Sequence, residues 1–204
     1  MHVILTPGYL APASIMWPIS RVLQKHRHRP SIFSYATYRG HIEEHADALA
    51  QHIDATIGES PFAMVGHSLG GLLTHTVLPR LRRPPERLVF IATPHQGCER
   101  AQKARVALYA RFFTGPARRA AQGVPLGHHG ISTGVIYGRK DRIVRPAEAK
   151  LEGAIDLELP FGHNELLLRA QTAHAVLRFL TAGHFHEGLD KEKILKESAN
   201  PTSI

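Results

Sequence analysis

The chain has 204 residues, 43% hydrophobic and 21% charged, which fits one globular domain with an ordinary core and excludes wholesale disorder. Its formal net charge is +8, and its single cysteine, Cys98, excludes an intrachain disulfide. No apolar run approaches the roughly 18 residues that a membrane span needs.

His2-Val3-Ile4-Leu5 breaks at once into Thr6-Pro7-Gly8, so it reads as a buried strand and its turn, not a secretory leader. A cytoplasmic location is the expectation. Further short apolar bursts at 31–36, 62–66, 87–92, 131–137 and 155–159 predict five more strands. Between them, helical spacing runs over 13–26, 41–57, 69–82, 146–152 and 164–182. In the second of these, Ile42, His45, Ala46, Leu49, Ile53 and Ile57 share one face. Short buried strands alternating with helices predict an α/β fold of about six mostly parallel strands, covered by helices on both faces.

Residues 97–125 break the rhythm with one helical piece, Val106 to Phe113, followed by Gly115-Pro116 and Gly123-Val124-Pro125. This stretch is a candidate lid or excursion over a site. Beyond Gly183 the chain turns polar, so a single domain is expected over 1–183 and a tail over 184–204.

Ala63-Met64-Val65-Gly66-His67-Ser68-Leu69-Gly70-Gly71 contains Gly-x-Ser-x-Gly directly after an apolar strand and directly before a helical run. A serine at the tip of so sharp a turn projects its hydroxyl above the sheet, with Gly66 and Gly70 relieving crowding. The helix that follows aims backbone N–H groups at any oxyanion formed there.

The segment resembles the nucleophile elbow of the α/β-hydrolase superfamily. That resemblance covers about residues 2–182 and implies a small, lipase- or esterase-like serine hydrolase with a minimal cap or none. The family order is nucleophile, acid, histidine. Gly138-Arg139-Lys140-Asp141-Arg142-Ile143-Val144 follows a predicted strand, as the family's acid loop does, and makes Asp141 the candidate acid; Glu148 and Glu165 are alternatives. Phe161-Gly162-His163-Asn164 runs from the last strand into the last helix and makes His163 the candidate base. The implied oxyanion donors are the amides of Leu69 and, in the Thr6-Pro7-Gly8-Tyr9-Leu10 turn, of Tyr9. Here Pro7 stands where the family commonly has histidine, and a backbone donor survives that change. Thr93-Pro94-His95-Gln96-Gly97 resembles a segment of lipase-like members. Leu10, His67, His95, Phe112, Phe113, Ile143 and Val144 are candidate pocket residues, and Trp17 is read as helix packing.

The resemblance implies acyl transfer through an acyl-enzyme, with an acyl ester or lipid as substrate and no cofactor. It leaves open a thioesterase, an acyltransferase or a catalytically silent binding module. Between Glu99 and Asp141 stand eight Lys and Arg residues and no acid. The basic residues within 100–119 are either a solvated face or a contact for an anionic membrane surface. No nucleic-acid motif accompanies them, so nucleic acid is an unlikely partner. His26-x-His28 and His184-x-His186 lack companion ligands, and no metal site is expected.

Overall fold

The computed structural model describes residues 1–37, 40–100 and 130–185. Six strands form one sheet: β1 (His2–Thr6), β2 (Arg29–Ile32), β3 (Phe62–His67), β4 (Arg87–Ile91), β5 (Ser132–Gly138) and β6 (Ile155–Leu159). Their order is β2-β1-β3-β4-β5-β6, and every neighbouring pair is parallel. The helices are α1 (Trp17–Lys25), α2 (Ile42–Ile57), α3 (Leu69–Val77), α4 (Pro146–Ala149), α5 (Glu165–Leu168) and α6 (Ala170–Ala182).

The central strands are apolar through their middles because both of their faces are covered. Ile4, Met64, Leu88, Phe90 and Val135 pack into the core shared with α2 and α3. Val3, Leu5, Val65, Val89, Ile91 and Ile136 face the core shared with α1 and α6. This alternation is the two-residue period of a strand read twice, once for each face. The edge strand β6 (Ile155-Asp156-Leu157-Glu158-Leu159) places its acids outward, as an exposed edge requires.

Several elements differ from their predicted extents. The second strand is Arg29–Ile32 in place of 31–36, because an edge strand pairs through polar residues that an apolar pattern overlooks. The last helical run is two helices, broken where Arg169 adopts an extended φ of −94° and ψ of 128°. Trp17 is 56% exposed at the first position of α1, and Met16, Ile19 and Leu23 do the packing instead. Past Gly183, Phe185 is buried with its ring 4.8 Å from that of Phe179. Of the candidate lid only residues 97–100 lie within the described residues, and Phe112 and Phe113 fall outside them.

Candidate active site

Parallel strands deliver their C-terminal ends to one edge of the sheet, where the loops after β1, β3, β4, β5 and β6 meet. Ser68 stands between β3 and α3 with φ 52° and ψ −121°, a conformation that L-residues avoid. Its N–H donates to the Ile91 carbonyl at 2.9 Å, which ties the turn to β4. The close approaches explain the surrounding glycines. A Cβ on Gly66 would lie 2.5 Å from the Gly71 Cα, and one on Gly70 would lie 2.2 Å from the Thr6 carbonyl oxygen. Gly71, which the motif does not single out, lies so close to Thr93 that a Cβ would overlap its hydroxyl at 1.9 Å.

The structure brings Ser68, His163 and Asp141 together. His163 Nδ1 lies 2.7 Å from Asp141 Oδ2 and its Nε2 lies 3.0 Å from Ser68 Oγ. With Nδ1–H donating to the carboxylate, Nε2 is left as acceptor for the serine hydroxyl. The Asp141 side chain has no exposure and that of His163 only 9%. Asp141 Oδ1 accepts N–H bonds from Ile143 and Val144 at 2.8 and 2.9 Å, so both carboxylate oxygens are committed. The acid and histidine loops are laced together by Arg139 N–H to Leu159 O at 2.8 Å and Lys140 N–H to Phe161 O at 3.2 Å.

The alternative acids are occupied elsewhere. Glu148 accepts from the N–H groups of Arg145 and Glu99 at 2.8 and 2.9 Å. Glu165 accepts from Gly162 N–H and pairs with Arg169, whose hydrogen bond holds its carboxyl below the usual range.

The turn after β1 sits directly beside the serine: a Cβ on Gly8 would lie 3.0 Å from Ser68 Cβ and 2.8 Å from His67 Nδ1. Tyr9 is the next residue along this turn. The Leu69 N–H, at the first position of α3, has no acceptor within its own helix. Two supports of this turn carry no sequence signal, because each lies 27 or 28 residues away. Tyr35 Oη donates to Pro7 O at 2.8 Å, and Leu10 N–H donates to Thr37 Oγ1 at 3.0 Å. Burial pushes the Tyr35 hydroxyl well above the ordinary tyrosine range, so it remains a donor at any working pH. Thr6 Oγ1 reaches the Gly70 carbonyl at 2.9 Å and Thr74 Oγ1 at 3.0 Å, pinning β1 to α3.

The other candidate residues divide by exposure. Leu10, 68% exposed with φ 53°, and Ile143, 44% exposed, are open apolar surface. Val144 packs in the core and serves Asp141 through its main chain. His67 and His95 are buried. His95 Nδ1 lies 3.2 Å from His75 Nε2, and burial pulls the His95 pKa down to about 3. An open cleft of about 1200 Å³ lies elsewhere, lined by Met1, His28, Leu157, Phe185 and one side of α6, with no group of the serine site among its walls. Among the described residues no cluster of three or more His, Cys, Asp or Glu is placed to hold a metal ion, and no helix is long and apolar enough to cross a membrane. Of the basic stretch only Arg100 is described, and it donates to the Arg142 carbonyl at 2.9 Å.

Residues 14–113, just under half of the chain, match the model of the Thioesterase domain family. A pyrethroid hydrolase from Sphingobium faniae superposes with a TM-score of 0.68 at 13% identity, covering 89% of this chain and 98% of its own. A thermophilic esterase from Thermogutta terrifontis gives 0.64 at 14% identity, covering 90% of each chain. A thioesterase of the prodiginine pathway in Streptomyces coelicolor gives 0.63 at 17% identity, covering 89% of this chain and 85% of its own. The chain has the α/β-hydrolase fold. The matched segment is similar to the Thioesterase domain family, and the neighbours that share the fold are named as a hydrolase, an esterase and a thioesterase. No curated protein matches its sequence.

Proposed function

We propose that this α/β-hydrolase cleaves carboxylic esters or thioesters of small acyl groups through an acyl-enzyme on Ser68. The hydrogen-bonded run from Ser68 Oγ to His163 to Asp141 supports this reading more than any other observation. His163 Nε2 takes the hydroxyl proton as Ser68 Oγ attacks the acyl carbon, and Asp141 stabilises the imidazolium that forms. The amides of Leu69 and Tyr9 hold the oxyanion. Collapse of the tetrahedral adduct expels the alcohol or thiol, which takes its proton from His163. Water then attacks the acyl-enzyme by the same route in reverse and frees the acid. Acyl transfer of this kind requires no cofactor.

A thioester substrate is favoured by the Thioesterase domain match, which includes the elbow. The chemistry supports it too, because a thiolate leaves more readily than an alkoxide and needs less help from the general acid.

Labelling by a fluorophosphonate, wild type against Ser68→Ala, tests the nucleophile. Turnover of p-nitrophenyl esters of increasing chain length against acyl-coenzyme A then reads the leaving group and acyl preference. Labelling lost in Ser68→Ala, with turnover of either series, is the expected result. Added alcohol or thiol outcompeting water would identify an acyltransferase instead. A folded wild type that is neither labelled nor active would leave a silent hydrolase fold.

A further inference from the structure

His67 is buried between two parts of the proposed machinery. Its ring centroid lies 4.8 Å from that of His163, with the planes tilted by 50°. The Nδ1–Cε1 edge of the ring lies against Gly8, where a Cβ would come within 2.8 Å of Nδ1 and 3.3 Å of Cε1. Neither ring nitrogen has a hydrogen-bond partner among the described residues. Burial holds its pKa well below the ordinary histidine value, and the charge that His163 can carry lowers it further. The His163 main chain beside the ring opposes this as the smallest of the three effects. Packed against both the His163 ring and Gly8, this buried ring acts here through its shape.

Resting on the serine-hydrolase reading above, we propose that His67 is a positioning residue, a strut whose flat ring fixes the His163 imidazole relative to the Gly8-Tyr9 oxyanion turn. Acyl transfer needs the base and the oxyanion donors placed together to within a fraction of an ångström, and small misplacements are expensive in rate. One rigid ring touching both meets that need with no flexible linkage between them. Its neutrality matters as well: a charged ring at this distance would repel the imidazolium that His163 becomes.

The test uses the full chain and two readouts. One is the low-field proton resonance of the His163 Nδ1–H bound to Asp141, which needs no substrate; the other is kcat and KM on p-nitrophenyl butyrate. Wild type and His67→Phe, which keeps a flat ring, are expected to show the resonance, with kcat within about fivefold of each other. His67→Ala is expected to lose it by exchange with water and to drop kcat about 10- to 100-fold, with KM within about twofold. Gly8→Ala, which crowds the Nδ1–Cε1 edge of the His67 ring, is expected to broaden the same resonance, and it decides the matter if His67→Ala fails to fold. A resonance indifferent to both substitutions, or a His67→Phe variant as impaired as His67→Ala, overturns the strut. A wild type that cleaves no ester while the resonance follows the expected pattern would retire the hydrolase reading and leave the strut standing.

Discussion

The Tyr35 hydroxyl, from the loop after β2, donates a 2.8 Å hydrogen bond to the carbonyl of Pro7, one residue before the glycine that lies against Ser68. This bond ties the turn after β1, the proposed oxyanion turn, to the body of the fold. Tyr35→Phe removes the donor, keeps the ring stacked 5.9 Å from Phe33, and leaves a carbonyl unpaired. The expected loss is about 1–2 kcal/mol of stability. On ester hydrolysis kcat is expected to fall roughly 3- to 10-fold with KM nearly constant, since in the proposed mechanism the turn acts on the transition state. Urea unfolding and steady-state kinetics check both. An equal fall in kcat/KM carried entirely by KM would place Tyr35 in substrate binding instead.

Ser68 holds nearly the same backbone angles as Gly58, φ 52° and ψ −121° against φ 55° and ψ −126°. The serine thus occupies a conformation that suits glycine. Such strain costs about 1–3 kcal/mol, less the extra freedom that glycine gives the unfolded chain. Ser68→Gly and Ser68→Ala both lose the hydroxyl and its bond to His163, so comparing them isolates the backbone. The glycine variant is expected to be about 1 kcal/mol more stable, or roughly 2–4 °C higher in Tm. Equal stability of the two inactive variants would show an elbow without strain.

Asp141 divides its carboxylate between its own loop and the histidine: Oδ1 takes two main-chain N–H groups and Oδ2 takes His163. Asp141→Asn preserves an oxygen for the loop but presents an amide to Nδ1, which favours the wrong imidazole tautomer. A fall in kcat of roughly 10³- to 10⁴-fold is expected with the fold intact. Asp141→Ala strands both N–H groups in addition and is expected to cost a further 2–4 kcal/mol or so of stability. Circular dichroism melts beside kinetics separate the two. An active Asp141→Asn would transfer the orienting role to another group.

The order of elements and the serine–acid–histidine sequence were legible because each motif is local: an apolar burst followed at once by its loop. Gly138 to Val144 and Phe161 to Asn164 each announce a strand end, and the fold needs only to bring those ends to one edge. What escaped the sequence is what depends on distant partners. Tyr35 and Thr37 look like ordinary loop residues until Pro7 and Leu10 arrive beside them. Gly71 reveals its purpose only against Thr93. The edge strand β2 was displaced in prediction because pairing there runs through Arg29 and Ser31, whose polarity hides a ladder bonded on one side only. The burial of His67 and His95, both candidate pocket residues, is not visible in their own segments, because the helices and loops that cover them come from elsewhere in the chain.

Burial of His95 makes stability depend on pH. Its pKa is about 3 in the folded state and about 6.5 when unfolded, so between these values the unfolded chain binds the extra proton. Stability from this group is fully present above about pH 6.5 and falls as the pH drops toward 3. Between pH 7.5 and 5.5 the linkage predicts a loss of about 1.4 kcal/mol from His95 alone. His67, also lowered by burial, contributes in the same direction. His95→Gln keeps a hydrogen-bonding group toward His75 but cannot titrate. It is expected to be less stable than wild type at pH 7.5, yet to lose about 1.4 kcal/mol less on acidification to pH 5.5. Urea unfolding at the two pH values measures both. Parallel losses in wild type and variant would mean that His95 accepts its proton without unfolding, through a path to solvent that its burial does not suggest.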